Sequence, residues 1–172
     1  MDSDEINCFL KSKNQVKKKY SKKIYCYDTL PKQLKLGKFY IVNTLSIKSS
    51  FKIPGHWCIY LYYKNNILVF IDPFGTFPNA HFIYPMLRSG NKSTKYFYNN
   101  IQLQNYSTST CAQHVVAIAT LFSYNFSIKS IFLNFYQIKK ITDWSPYKYD
   151  RIVNEFLFNF YGEKRSIFYE FT

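Results

Sequence analysis

Cys111 opens the run CAQHVVAIATLFSY (111–124), apolar nearly all round, which reads as a buried helix. A thiol at a helix N-terminus is chemically loaded. Unpaired backbone N–H groups and the positive end of the helix dipole favour thiolate. The same N–H groups point where a substrate oxyanion would form. Ser and Thr at 107–110 offer N-cap oxygens just before it. A small apolar residue buried at a helix start leaves the same trace, so a nucleophile reading needs a base and a group that orients it. The chain has three histidines, His56, His81 and His114. His114, three residues after Cys111 on one helix, leaves little room for a substrate carbonyl between the two and reads as a packing or surface residue. His81 falls in a Pro/Asn/Ala loop with no sequence partner. His56 begins a strand that the hairpin pattern pairs with the strand ending at Asp72, and those two ends are spatial neighbours. Cys111, His56 and Asp72 then form nucleophile, base and orienter. Gln104 lies seven residues before Cys111, and the polar NYSTST between them can loop its amide back toward the oxyanion site. A surface Gln at a strand end is the alternative.

These residues need elements to hold them. Phe39–Leu45 (FYIVNTL), Trp57–Tyr63 (WCIYLYY) and Ile67–Asp72 (ILVFID) read as strands, the last two joined as a hairpin through Lys64-Asn65-Asn66. Asp72-Pro73-Phe74-Gly75 ends the hairpin, because Pro cannot donate to the ladder. A further strand is predicted at Lys95–Leu103, a short helix over 4–12, and outer helices in 128–160. Helices and strands do not alternate regularly, which predicts an α+β fold, a central mixed β-sheet flanked by helices, rather than a doubly wound one. No internal repeat or Gly/Ser linker divides the chain, so residues 1–172 are read as one domain.

Composition narrows the classes. At 172 residues and 47% apolar content the chain can bury a core, which argues against general disorder. No apolar run reaches the roughly 18–20 residues that span a bilayer. The acidic opening MDSDEINCFL lacks a signal-peptide core, so a route other than secretion is expected. Cys8, Cys26, Cys58 and Cys111 form no CxxC pair and read as free thiols. The net charge is +13, and Lys outnumbers Arg 20 to 3. An AT-rich coding bias explains the lysine preference and the aromatic excess. It does not explain only ten acids, so a polyanionic partner is expected. Lys11, Lys13, Lys17, Lys18, Lys19, Lys22 and Lys23 crowd one segment, read either as a solvated helix face or loose arm, or as a DNA contact. Between positions 29 and 142 there is one acid, Asp72, against 12 Lys or Arg.

The ordered set Gly55-His56-Trp57, Asp72-Pro73-Phe74-Gly75 and Gln104-x6-Cys111 before an apolar helix resembles the adenovirus-type cysteine proteases (adenain), of the clan that includes the SUMO-specific proteases. Ile41-Val42-Asn43-Thr44, and Tyr27-Asp28 with Pro31, fit the same pattern, and the likeness covers roughly residues 5–125. The resemblance implies that fold, with His56 as general base, Asp72 as orienter, Cys111 as nucleophile and Gln104 as oxyanion-hole amide. It implies substrate contacts at Gly55 and Trp57, the latter walling a channel narrow enough to favour glycine on the acyl side of the cut. It also implies maturation of viral capsid and core precursors in the virion or at the host-cell site of assembly, by a monomer away from membranes. DNA would serve as a stimulating polyanion. Small size and AT-rich coding suggest a virophage or a Polinton-like element. Three features depart from the pattern. Ala112 stands where the family usually has Gly. No cysteine lies between 58 and 111, so a disulfide-linked activating peptide is not expected in the family's manner. The region 76–103 is compressed. Two other classes compete: a metal site from Cys111, His114, His56 and Cys58, without zinc-ribbon spacing, and a non-enzymatic basic DNA-packaging or capsid-associated protein.

Overall fold

The computed structural model describes residues 1–21, 23–53, 55–138 and 145–162. The predicted Lys22 contact lies outside these residues. Five strands form one mixed sheet in the order β1-β2-β3-β4-β5: β1 (Tyr25–Cys26), β2 (Phe39–Asn43), β3 (Trp57–Tyr63), β4 (Ile67–Ile71) and β5 (Lys95–Tyr98). The central pairings β2/β3 and β3/β4 are antiparallel, while β1 and β5 run parallel to their neighbours. The fold is therefore α+β, as the sequence pattern predicts.

Alternation along the strands sorts side chains into two cores. Ile41, Ile59, Leu61, Val69 and Ile71 face one side, where they meet α5 (Cys111–Ser123), α1 (Ser3–Ser12) and α7 (Pro146–Tyr161). Tyr40, Val42, Cys58, Tyr60, Leu68 and Phe70 face the other, covered by Phe82 and Met86 of α4 (Ala80–Ser89). Every residue of α5 is buried. Its interior hydroxyls are satisfied locally, Thr120 Oγ1 donating to the Val116 carbonyl (2.8 Å) and Ser123 Oγ to that of Ala119 (2.7 Å). The β3–β4 hairpin turns through Asn66 at φ +60°, a left-handed conformation that Asn tolerates.

Several expectations are corrected. Residues 80–89 form a helix, so His81 sits on α4 and packs at a tilt against Tyr27 (4.6 Å between ring centres) instead of lying in a loop. Asn79 caps that helix by accepting from the His81 N–H. Strand β5 stops at Tyr98 and does not reach Leu103. Asn99 diverts the chain there: its side chain accepts from the Asp72 N–H (2.9 Å) and donates to the Asp72 carbonyl (2.7 Å), standing in for a ladder partner. Residues 11–19 of the lysine run are no loose arm. They include α2 (Asn14–Lys19), whose Gln15 and Lys19 donate to the Ser123 and Phe122 carbonyls at the negative end of α5. Two short helices are α3 (Ile47–Ser50), between β2 and β3, and α6 (Ile128–Ser130), which follows α5 and is continued by a π-helical turn (Ile131–Phe135). Among the described residues no helix is long and apolar enough to cross a membrane.

Candidate active site

The β3/β4 pairing ends with Ile59 opposite Ile71, so His56, just before β3, and Asp72, just after β4, lie at the same end of the hairpin. His56 Nε2 and Asp72 Oδ1 meet at 2.5 Å. Asp72 is fixed from three directions: Asn99 grips its peptide on both sides, and its Oδ1 accepts the Phe74 N–H (2.8 Å). Phe74 also stacks flat on the imidazole, 4.3 Å away and tilted 17°. Behind His56, its own N–H reaches Thr44 Oγ1 and its carbonyl accepts the Thr44 N–H (2.9 Å). Gly55 leaves room for Asn43 just before it: a Cβ there would lie 1.9 Å from Asn43 Oδ1 and would push that side chain aside. Gly75, at φ +71°, closes the turn after Asp72 and has Ile101 backbone 2.7 Å from where a Cβ would stand.

Cys111 stands close enough to His56 for its sulfur to act on the imidazole as Asp72 does. Burial pulls the His56 pKa down, but the hydrogen bonds to Asp72 and Cys111 and their charges outweigh it and push it up to about 9. Thr110, at the N-cap of α5, makes no capping bond; its hydroxyl donates to Asp150 Oδ1 (2.6 Å) instead. The expected Ser/Thr cap is thus replaced, and the first N–H groups of α5 carry no side-chain cap.

Gln104 is also anchored at the Asp72 turn: the N–H groups of Leu103 and Gln104 both donate to the Pro73 carbonyl (2.7 and 2.9 Å). Its side chain is buried, not at the surface, with one amide N–H donated to the Thr108 carbonyl (2.6 Å). The other N–H has no hydrogen-bond acceptor among the described residues, and Oε1 is unpartnered. Trp57 and Gly55 line a cleft of about 620 Å³ that reaches Cys111 and is walled further by Tyr25, Asn43 and Phe51. Both predicted substrate contacts therefore border the same opening as the thiol.

The competing metal set does not assemble. His114 is wholly buried, its Nε2 on Asp150 Oδ1 (2.8 Å) and its Nδ1 on the Tyr136 hydroxyl (2.9 Å), so neither nitrogen is open to a ligand. It is not a surface residue either. His56, Cys58 and Asp72 do keep ligand atoms within 4.8 Å of one another. Burial, then the charges of Asp72 and Cys111, push the Cys58 thiol well above its usual range, so an ion there would have to strip a desolvated thiol and break the His56–Asp72 bond. Sequence reasoning missed Asn99 and Asp150; an Asn at the end of a strand-like run was the only signal for the first. No protein-family model matches the chain, and a search of curated proteins finds no match.

Proposed function

We propose that this protein is a cysteine endopeptidase of the adenovirus-protease type. One observation carries the reading: the bonded His56–Asp72 pair lies near the Cys111 thiol, which stands at the N-terminus of a buried helix and lines a cleft. In the proposed reaction Cys111 Sγ attacks the scissile carbonyl carbon. The oxyanion is held by the Cys111 N–H and the remaining Gln104 N–H. The His56 imidazolium gives its proton to the leaving amine, leaving a thioester. Water attacks the thioester, His56 takes its proton, and the acid product leaves as the thiol is restored. Asp72 keeps the imidazole in the tautomer and orientation these steps need.

The sheet order and the place of Cys111 on α5 support the adenain-like fold. The proposed substrates are viral capsid and core precursors, cut at glycine-containing sites in the assembling particle. DNA would gather enzyme and substrates through the exposed Lys11, Lys17, Lys18 and Lys23; Lys13 and Lys19 are partly occupied over Phe160 and against the end of α5. The test is incubation of the purified protein with the capsid proteins of its own genome, followed by sequencing of new N-termini. New termini with the native chain and none with Cys111→Ala are expected; cleavage by Cys111→Ala, or none by the native chain, overturns the reading. The net charge of +13 favours a non-enzymatic packaging protein as the second reading, which predicts no hyper-reactive thiol.

A further inference from the structure

We propose that Asp150 of α7 is a positioning residue of this site, holding the segment 105–110 and through it the Gln104 amide and the first N–H of α5. The inference rests on the peptidase reading. Asp150 is 6% exposed, and four donors converge on its carboxylate. Oδ1 accepts from Thr110 Oγ1 (2.6 Å) and His114 Nε2 (2.8 Å). Oδ2 accepts from the Asn105 N–H (3.2 Å) and from Thr108 Oγ1 (2.9 Å), which shares its proton with the Asn105 carbonyl. Three of the four donors belong to the stretch between Gln104 and Cys111. Two of those lead straight to the reacting groups: the Thr108 carbonyl accepts the Gln104 amide, and Thr110 is the residue before Cys111. The fourth, His114, completes the clamp. Burial lowers its pKa, so it stays neutral, donates from Nε2 to Asp150 and accepts the Tyr136 hydroxyl at Nδ1.

A buried carboxylate is costly, and an apolar side chain would fill the space between helices more cheaply. Its retention is explained if the loop it grips must not move. An oxyanion donor works only when fixed before the charge develops. Thr110 marks the same need, because its hydroxyl is spent on Asp150 when it stood where it could cap the helix.

The test uses the full chain with Thr108→Val, Thr108→Ser and Asp150→Asn. Three quantities are measured: kcat and KM on a glycine-containing peptide, and the rate of Cys111 alkylation by iodoacetamide. Alkylation needs the thiolate but no oxyanion hole. Thr108→Val and Asp150→Asn should lower kcat about 10- to 100-fold, with KM and alkylation changed by no more than about two-fold. Thr108→Ser, which keeps the hydroxyl, should restore kcat. Retained kcat in Thr108→Val overturns the proposal, as does alkylation that falls in step with kcat. If Asp150→Asn does not fold, the Thr108 pair decides alone. A native chain without peptidase activity overturns the parent reading and this inference together, a result distinct from an active native chain that is indifferent to Thr108→Val.

Discussion

Two histidine–aspartate pairs flank the first turn of α5, and solvation makes them opposites. His56, between the cleft-lining Gly55 and Trp57, meets Asp72 at 2.5 Å with its side chain 18% exposed. His114 meets Asp150 at 2.8 Å with its side chain fully enclosed. The same two groups at nearly the same distance give a His56 pKa raised to about 9 and a His114 pKa lowered. For His114, burial outweighs the Asp150 carboxylate, whose other three donors already share its charge. For His56, partial exposure and a second partner that can itself become an anion tip the balance toward imidazolium. A His–Asp pair is thus a proton-handling device only where its desolvation is incomplete and something reactive stands close by. Enclosed, with a phenol at the far nitrogen, it becomes a rivet.

If this contrast holds, His56→Ala should cut peptide hydrolysis by about 10³-fold or more in folded protein. A larger loss per folded molecule from His114→Ala than from His56→Ala would reverse the two roles. Asp72→Asn should cost about 10²-fold or more in rate. It should also move the alkaline limb of the pH profile. His56 is raised, so its protonated form persists up to about pH 9 and hydrolysis should fall as pH climbs through that value. Without the Asp72 charge the fall should come nearer the ordinary histidine value of about 6.5.

For the enclosed pair the expected effect is on stability. His114→Ala leaves Asp150 and Tyr136 each short of a partner and opens a hole, costing about 3 kcal/mol in chemical denaturation. The pH dependence should also carry opposite signs. Because the folded His114 resists protonation, its contribution is present above its unfolded pKa and fades as pH drops below about 6.5. The His56 contribution is full below about 6.5 and is lost as pH rises toward about 9. Denaturation series of the native chain and His114→Gln at several pH values should show a shallower acid decline in the variant. Gly55→Ala should cost about 1–3 kcal/mol and slow the reaction, since the new methyl must displace Asn43 or the His56 backbone. The smallest effect belongs to the basic surface. Replacing Lys11, Lys17, Lys18 and Lys23 by Gln should change stability by no more than about 0.5 kcal/mol. The same change should flatten the salt dependence of DNA binding; an unchanged slope would remove these lysines from the DNA contact.

The cleft-side pair was legible in the sequence because local rules place it. A strand-turn-strand pattern and a proline-marked stop bring His56 and Asp72 together without help from the rest of the chain. The helix from Cys111 was legible because its apolar run has no polar face. The enclosed pair was not, since Asp150 comes from α7 and only tertiary packing delivers it to His114. The same distant carboxylate misled the N-cap expectation by taking the Thr110 hydroxyl. Helix α4 was hidden by Pro78-Asn79-Ala80, which reads as a loop although Asn79 caps the helix that follows. The predicted strand to Leu103 overran because a single amide, that of Asn99, ends it from the side.

Competitive alkylation of the native protein with iodoacetamide at neutral pH, read cysteine by cysteine, separates activation from mere access. By exposure alone Cys8 should react first, then Cys26, with Cys111 and Cys58 last. Activation by His56 predicts that Cys111 leads by about 10-fold or more, and that His56→Ala but not His114→Gln removes the lead. Labelling that simply follows exposure, with Cys8 first and Cys111 trailing, would contradict an activated thiol at the head of α5.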